Sequence, residues 1–228
     1  MTGTAAGWLA LPQPSLFSTI RDGCWRPATA RAVATGDGLA DEATRLQREL
    51  ASLGIPAGDD SRVELRAAGT RIASGAADLP GGSAAPDESF AIEVTDDIVV
   101  DAPSAAGVFR ATRQLLHNLR ALGFVPNGQV RSAPAVAERG IHLDAARKHY
   151  PADWIIALLQ DAADVGINDF QWHFSENEGF RLASGRFPEI VSAGHITRDE
   201  ARRIVDTARS LHIDVGRRST CQATSGGC

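Results

Sequence analysis

The stretch RGIHLDAARKHYPADWIIALLQDAADVGINDFQWHFSENEGFRL, residues 139–182, decides how this chain folds. Gly140 to Leu143 is a short apolar run, Asp153 to Val165 carries apolar residues at helical spacing, and Asp169 to Phe174 is a second β-type run rich in aromatics. Strand, helix and strand in that order make a βαβ unit. In the helix, Ile155, Leu158, Leu159, Ala162 and Val165 repeat on one face of a 3.6-residue period, and Gly166 stands just past them as a stop.

Downstream, Thr197-Arg198-Asp199-Glu200 has the T-x-x-E form of a capping box. Ala201, Ile204, Val205, Ala208 and Leu211 then share one helical face, so a second helix follows the second strand. The polar residues gather just past the carboxyl ends of the strands. Asp144, Arg147 and His149 follow the first, and His173, Glu176, Asn177, Glu178 and Arg181 follow the second. In parallel α/β sheets that edge is where ligands bind.

Toward the amino terminus the pattern is less regular. Met1 to Gly36 reads as an entry strand or two with irregular ends. From Leu39 a helix is expected, with Ala43, Leu46, Leu50 and Leu53 on one face and Gly54 and Pro56 ending it. Val63–Leu65, Phe90–Val94 and Ile98–Val100 read as strands, the last two joined by a turn at Thr95–Asp97. Ser74 to Pro86 is a Gly/Ala/Pro/Ser loop, and a longer helix is expected over Ser104–Leu122 with Gly123 as its stop. This portion is an α+β domain, placed at residues 1–135, that serves as a packing platform without chemistry of its own.

Composition narrows the function classes. Apolar residues make up 43% of 228, enough to bury a core. A net charge of −5 and the lack of a basic stripe with interleaved aromatics argue against a nucleic-acid partner. No apolar run approaches the roughly 20 residues a membrane-spanning helix needs. MTGTAAGWLALPQPSL has no basic start, and Pro12 and Pro14 break its apolar character, so no signal peptide is expected and a cytoplasmic location is the default. Cys24, Cys221 and Cys228 have neither metal-site spacing nor a disulfide framework.

Together, R-G-x-x-L-D-x-x-R at Arg139–Arg147 and W-H-x-x-x-x-x-G-[FW]-R at Trp172–Arg181, followed by RFPEI and a helix ending before HIDV, resemble the start of the catalytic (β/α)8 TIM barrel of glycoside hydrolase family 20. These are the β-N-acetylhexosaminidases. The resemblance implies an α/β fold in which a small amino-terminal α+β domain precedes the first βα units of an incomplete barrel, here residues 136–215. Glu176-Asn177-Glu178 departs from the commoner Asp-Asp form and looks more like the lacto-N-biosidase side of the family.

The resemblance also implies roles. Arg147 would bind the hydroxyls at the far end of the non-reducing sugar through its forked donors; without it, a surface ion pair with Asp144 is the plainer reading. Glu176 would hold the arginine and histidine network, with a solvated loop as its alternative, and Asn177 removes a charge from the neighbouring position. Asp144 is expected to orient the strand-end loop and Arg181 to serve structure. His173 lacks partners at metal-ligand spacing and is expected to support the site rather than to bind metal. The implied reaction is substrate-assisted retaining hydrolysis of a terminal β-linked N-acetylhexosamine or lacto-N-biose unit, with no metal or cofactor. Its acid and its orienting carboxylate form an Asp-Glu pair after barrel strand 4, and no such pair is expected within this chain. A full barrel takes roughly 250 residues.

From Gly216 the tail GRRSTCQATSGGC leaves the family pattern, where an apolar run and a P-E-x-D-x-P-G-H motif are expected. Permitted codons for Arg218 to Cys228, read one base earlier, give Glu-Val-Asp-Met-Pro-Gly-His-Leu-Gly-Arg-Leu. A frame change near Val215 or Gly216 is therefore expected. Two functions follow: an exo-glycosidase of which this is the amino-terminal part, or a non-catalytic remnant or carbohydrate-binding piece. An unrelated α/β domain with a similar βαβ unit is a third.

Overall fold

A computed structural model describes residues 7–67 and 84–217. The chain divides into two compact units between Ala137 and Glu138. The loop expected at Ser74–Pro86 lies outside the described residues up to position 83, and a short 3-10 turn begins at Pro86. Residues 218–228, with Cys221 and Cys228, also lie outside them.

The first unit is built on a six-stranded mixed sheet. Its strands are β1 (Leu16–Ser18), β3 (Arg31–Thr35), β4 (Arg62–Ala67), β5 (Phe90–Val94), β6 (Ile98–Ala102) and β8 (Gly128–Ser132), in the order β1-β8-β5-β6-β4-β3. β3, β4 and β6 run parallel, and β6, β5, β8 and β1 alternate in direction. A separate pair joins β2 (Cys24–Trp25) to β7 (Val125–Pro126). Helix α1 (Ala40–Ser52) links β3 to β4, and α2 (Ala105–Leu122) links β6 to β7.

Helix α2 obeys its local signals. Ser104 accepts the backbone N–H of Gly107, and Gly123 closes α2 in the left-handed region at φ 75°. Gly107 is forced by packing, because a Cβ there would come within 2.5 Å of the Ser89 carbonyl. Val63, Leu65, Ile92, Val94, Ile98, Val100, Val108 and Leu115 fill one core, each at most 2% exposed. Burying one such side chain contributes about 1.5–3 kcal/mol. Leu53, expected on the inner face of α1, is instead its C-cap and stands 37% exposed, while Leu39 at the other end is buried. The apolar face is thus shifted toward the helix start, because the chain turns away at Gly54 before Leu53 can point inward.

The second unit is a three-stranded parallel sheet, ordered β13-β10-β9, from β9 (Gly140–Asp144), β10 (Asp169–His173) and β13 (Asp214–Arg217). Helix α3 (Ala152–Asp164) connects β9 to β10, and α4 (Arg198–Ser210) connects the second strand's loop to β13. A two-stranded hairpin of β11 (Ser175–Glu176) and β12 (Gly179–Phe180) follows β10 directly. The capping box is formed as the sequence reads: Thr197 accepts the Glu200 N–H, and the Glu200 carboxylate accepts the Thr197 N–H.

Strand register separates the two faces of this sheet. Ile141 and Leu143 sit beside Phe170 and Trp172 on one face, and His142 and Asp144 sit beside Gln171 and His173 on the other. Phe170, Ile155, Leu159, Ile204 and Ala208 are fully buried, so the helices cover the apolar face. Val165, expected on the inner face of α3, is its C-cap and is 42% exposed; Ala163 is buried instead. Among the described residues no helix is long and apolar enough to cross a membrane.

Candidate active-site edge

The site forms at the carboxyl end of β9, where the chain turns sharply into α3. One oxygen of Asp144 accepts the backbone N–H groups of Ala146 and Arg147, both at 3.2 Å. That turn is further tied to the next strand, because the His173 carbonyl accepts the N–H of Ala145 at 2.8 Å and of Ala146 at 3.2 Å. Asp144 therefore orients the strand-end loop through two backbone bonds. His173 supports it through its main chain, and its half-buried ring packs on His142 at 5.8 Å.

Arg147 projects from this turn with 70% of its side chain exposed. Its Nε lies 3.0 Å from Glu176 Oε1 and 3.2 Å from Asp144 Oδ2, so one nitrogen is held between two carboxylates. The hydrogen bond that Arg147 donates to Glu176, with the charges of Glu176 and Asp144, raises the guanidinium pKa above its ordinary value. The two terminal amino groups make no hydrogen bond among the described residues. Glu176 is itself positioned by the β11–β12 hairpin, in which it pairs with Gly179 across Asn177 and Glu178. Asn177 and Glu178 are exposed.

Arg181 braces the same turn from below. Its Nε donates to the Ala146 carbonyl at 3.2 Å, its Nη1 to the Gly194 carbonyl at 3.0 Å, and its backbone N–H to the Phe174 carbonyl at 2.8 Å. Gly179 leaves room for this bracing: a Cβ there would stand 3.0 Å from Arg181 Nε and 3.1 Å from the Ala146 carbonyl. Sequence reading did not find the loop that receives Arg181. Ser192 exchanges bonds with Phe180, and a Cβ on Gly194 would stand 3.2 Å from the His149 ring. Gly194 was the available signal, a small residue amid polar ones, but its partner is far away in sequence.

Phe174 meets Trp172 and Phe180 edge-on, both at 5.9 Å, and forms an aromatic wall beneath the hairpin. A separate cavity of about 510 Å³ is lined by Trp172, Phe174, Leu182, Val205, Val215 and Arg198. It contains none of the residues expected to bind sugar or to support the site. It belongs to the helix-covered side of the sheet, whereas the charged groups cluster at the strand ends. No group of three or more His, Cys, Asp or Glu among the described residues could hold a metal ion, and Cys24 is an exposed free thiol.

Parallel strands with helical returns and a cluster of charged side chains at their carboxyl ends make an α/β unit of the kind from which TIM barrels are built. Residues 137–218 match the family model of the glycosyl hydrolase family 20 catalytic domain. Two curated relatives are a β-hexosaminidase of Vibrio furnissii, 31% identical over 42% of this chain and 16% of its own length, and a lacto-N-biosidase of Bifidobacterium bifidum, 27% identical over 85% and 17%. Among solved structures, a glycoside hydrolase family 20 β-N-acetylglucosaminidase superposes with a TM-score of 0.70 at 27% identity, over 90% of this chain and 41% of that one. The chain thus spans less than a fifth of these two curated relatives and less than half of that solved structure.

Proposed function

We propose that this chain supplies the sugar-gripping edge of a family 20 exo-glycosidase, the part that holds the non-reducing end of a glycan ending in β-linked N-acetylhexosamine or lacto-N-biose. The observation that carries this reading is the state of Arg147. Its Nε is tied to Glu176 and Asp144 while its terminal fork stays open to solvent. A guanidinium fixed at one nitrogen has lost most of its rotational freedom, yet it still presents donors that suit a pair of vicinal hydroxyls. An arginine engaged only in an ion pair would turn that fork toward the carboxylates.

Glu176 and Asp144 aim the arginine, and Arg181 keeps the turn beneath it from shifting. The Asp-Glu pair that the family resemblance places after strand 4 is not among these 228 residues, so the acid that protonates the leaving oxygen and the carboxylate that steers the acetamido group are both missing from the chain as it stands. General acid catalysis alone accounts for about 10² to 10⁴ in rate. The chain by itself is therefore a sugar-binding piece of a hydrolase.

The test separates binding from turnover. With p-nitrophenyl N-acetyl-β-glucosaminide the 228-residue chain should release no nitrophenol, whereas the same sequence continued through a strand-4 Asp-Glu pair should. In that longer enzyme Arg147→Ala should weaken substrate binding about tenfold or more, the cost of leaving sugar hydroxyls without their donors. Comparable turnover by the unextended chain would refute the reading.

A further inference from the structure

We infer that the α3 end of the β9–α3 connection carries a second sugar-binding surface, an aromatic platform formed by Trp154 on Tyr150 that stacks a β-linked pyranose ring. The proposal rests on the glycan reading above for its choice of ligand, and on separate residues for its geometry.

Of the four tryptophans, Trp8, Trp25 and Trp172 are 6%, 2% and 5% exposed, while Trp154 is 46% exposed. An indole left open to water is uncommon in a chain that buries the other three, but exposure alone would mean little. What distinguishes Trp154 is that it is held. Its ring stacks on Tyr150 at 4.6 Å with 29° between the planes, and the Lys148 ammonium lies 5.3 Å from the centre of the Tyr150 ring. Tyr150 is thereby engaged by a cation and by an indole before any ligand arrives. No other ring or cation contact engages Trp154 among the described residues.

Position and charge point to a neutral sugar. Trp154 lies in the first turn of α3, so it stands at the same end of the sheet as the turn that carries Arg147. The charges nearest in sequence are already occupied: Asp153 pairs with Arg203 at 2.6 Å, and Lys148 lies against Tyr150. An ionic ligand would have to break these contacts, whereas a sugar can lay its C–H face on the electron-rich indole and leave its hydroxyls among the charged groups. A β-linked N-acetylglucosamine, with its ring substituents equatorial, offers such a flat C–H face. A protein partner fits less well, since one indole beside the Asp153–Arg203 ion pair is far smaller than the apolar centre of a stable interface.

The platform can be tested on the intact chain, because Trp154 dominates the water-exposed indole emission. Titration with N,N′,N″-triacetylchitotriose should give a saturable blue shift that disappears in Trp154→Ala and persists in Arg147→Ala. Saturation-transfer NMR reads the same binding from the sugar side; its affinity should fall about tenfold in Trp154→Ala, the size of one aromatic stacking contact, and by less in Trp154→Phe. Absence of any saturable change, or a change that survives Trp154→Ala, overturns the proposal. Loss of the shift in Arg147→Ala overturns the claim of a separate surface while leaving the Arg147 reading intact. Persistence there with no sugar bound at Arg147 leaves the platform standing and defeats the other reading.

Discussion

The two units of this chain use the same elements to opposite ends. In the first, β5 and β6 are paired on both sides and the core beneath them is closed, with Ile92, Val100 and Leu65 at most 1% exposed. In the second, β9 and β13 each have one partner among the described residues, and one face of the sheet presents His142 to solvent. Every residue singled out for sugar binding lies in the second unit. An open strand end with paired but accessible charges offers groups that can meet a ligand. The residues expected to bind sugar are thus gathered in the unit with the open edge.

The largest effect expected from this contrast is in local stability. Unpaired strand edges and a partly uncovered sheet should let the second unit open at much lower free energy than the first. In native-state hydrogen exchange of the whole chain, the Ile92 amide in β5 should exchange about a thousandfold more slowly than that of Val215 in β13, which corresponds to a difference of about 4 kcal/mol. Equal protection would show that the second unit is as closed as the first.

Much of this contrast was legible in the sequence, for a physical reason. Signals that act over a few residues read true: the Thr197–Glu200 box, the Gly123 stop and the Phe90–Val94 strand all form where they were expected. The strands that were missed depend on distant partners. β8 exists because Val130 meets Ile92 and Phe17, and Gly128 to Ser132 has little pattern of its own. At the site, the residue types at Arg147 and Glu176 were readable from their motifs, and their separation of 29 positions was not an obstacle. That Arg147 would be held by Nε alone, or that Arg181 would reach both Ala146 and Gly194, follows only from the packed loops.

A smaller effect should sharpen the comparison inside the second unit, where α4 depends on its own cap. Thr197→Ala removes a hydroxyl that accepts the Glu200 N–H and also donates to its carboxylate. The loss should be about 1 kcal/mol, read by urea unfolding followed at the second unit. The Thr197 backbone and hydroxyl bonds hold the Glu200 pKa below its usual range. Its contribution is present above the unfolded carboxylate pKa and is lost as pH falls through the lowered folded value. The gap should therefore narrow in acid by the share owed to the hydroxyl's bond to the carboxylate, while the share owed to the Glu200 N–H bond remains; a gap that stays constant with pH would mean that the bond to the carboxylate contributes nothing.

The smallest effect returns to the first unit, on the face of its sheet away from the core. Asp101 and Glu64 are neighbours there and are pushed in opposite directions. Burial raises the Asp101 pKa despite the opposing charge of Arg66, whereas the hydrogen bond from Arg66 lowers that of Glu64. A raised carboxyl pKa means the folded state binds its proton more tightly than the unfolded chain. Asp101 thus contributes stability below the unfolded pKa and loses it as pH rises through the folded one, while Glu64 behaves in the reverse sense. Asp101→Asn removes only the first contribution and leaves the Arg66–Glu64 pair at 2.7 Å intact. Near neutral pH the variant should match or exceed the parent by about 0.5 kcal/mol or less, since solvent screens charges on this face. The gain should vanish in acid, where Asp101 is protonated and uncharged like the amide. A loss of more than about 1 kcal/mol at neutral pH would mean that the attraction of Arg66 outweighs burial, and that the outer face of the first unit is held by a three-membered charge network instead of a single pair.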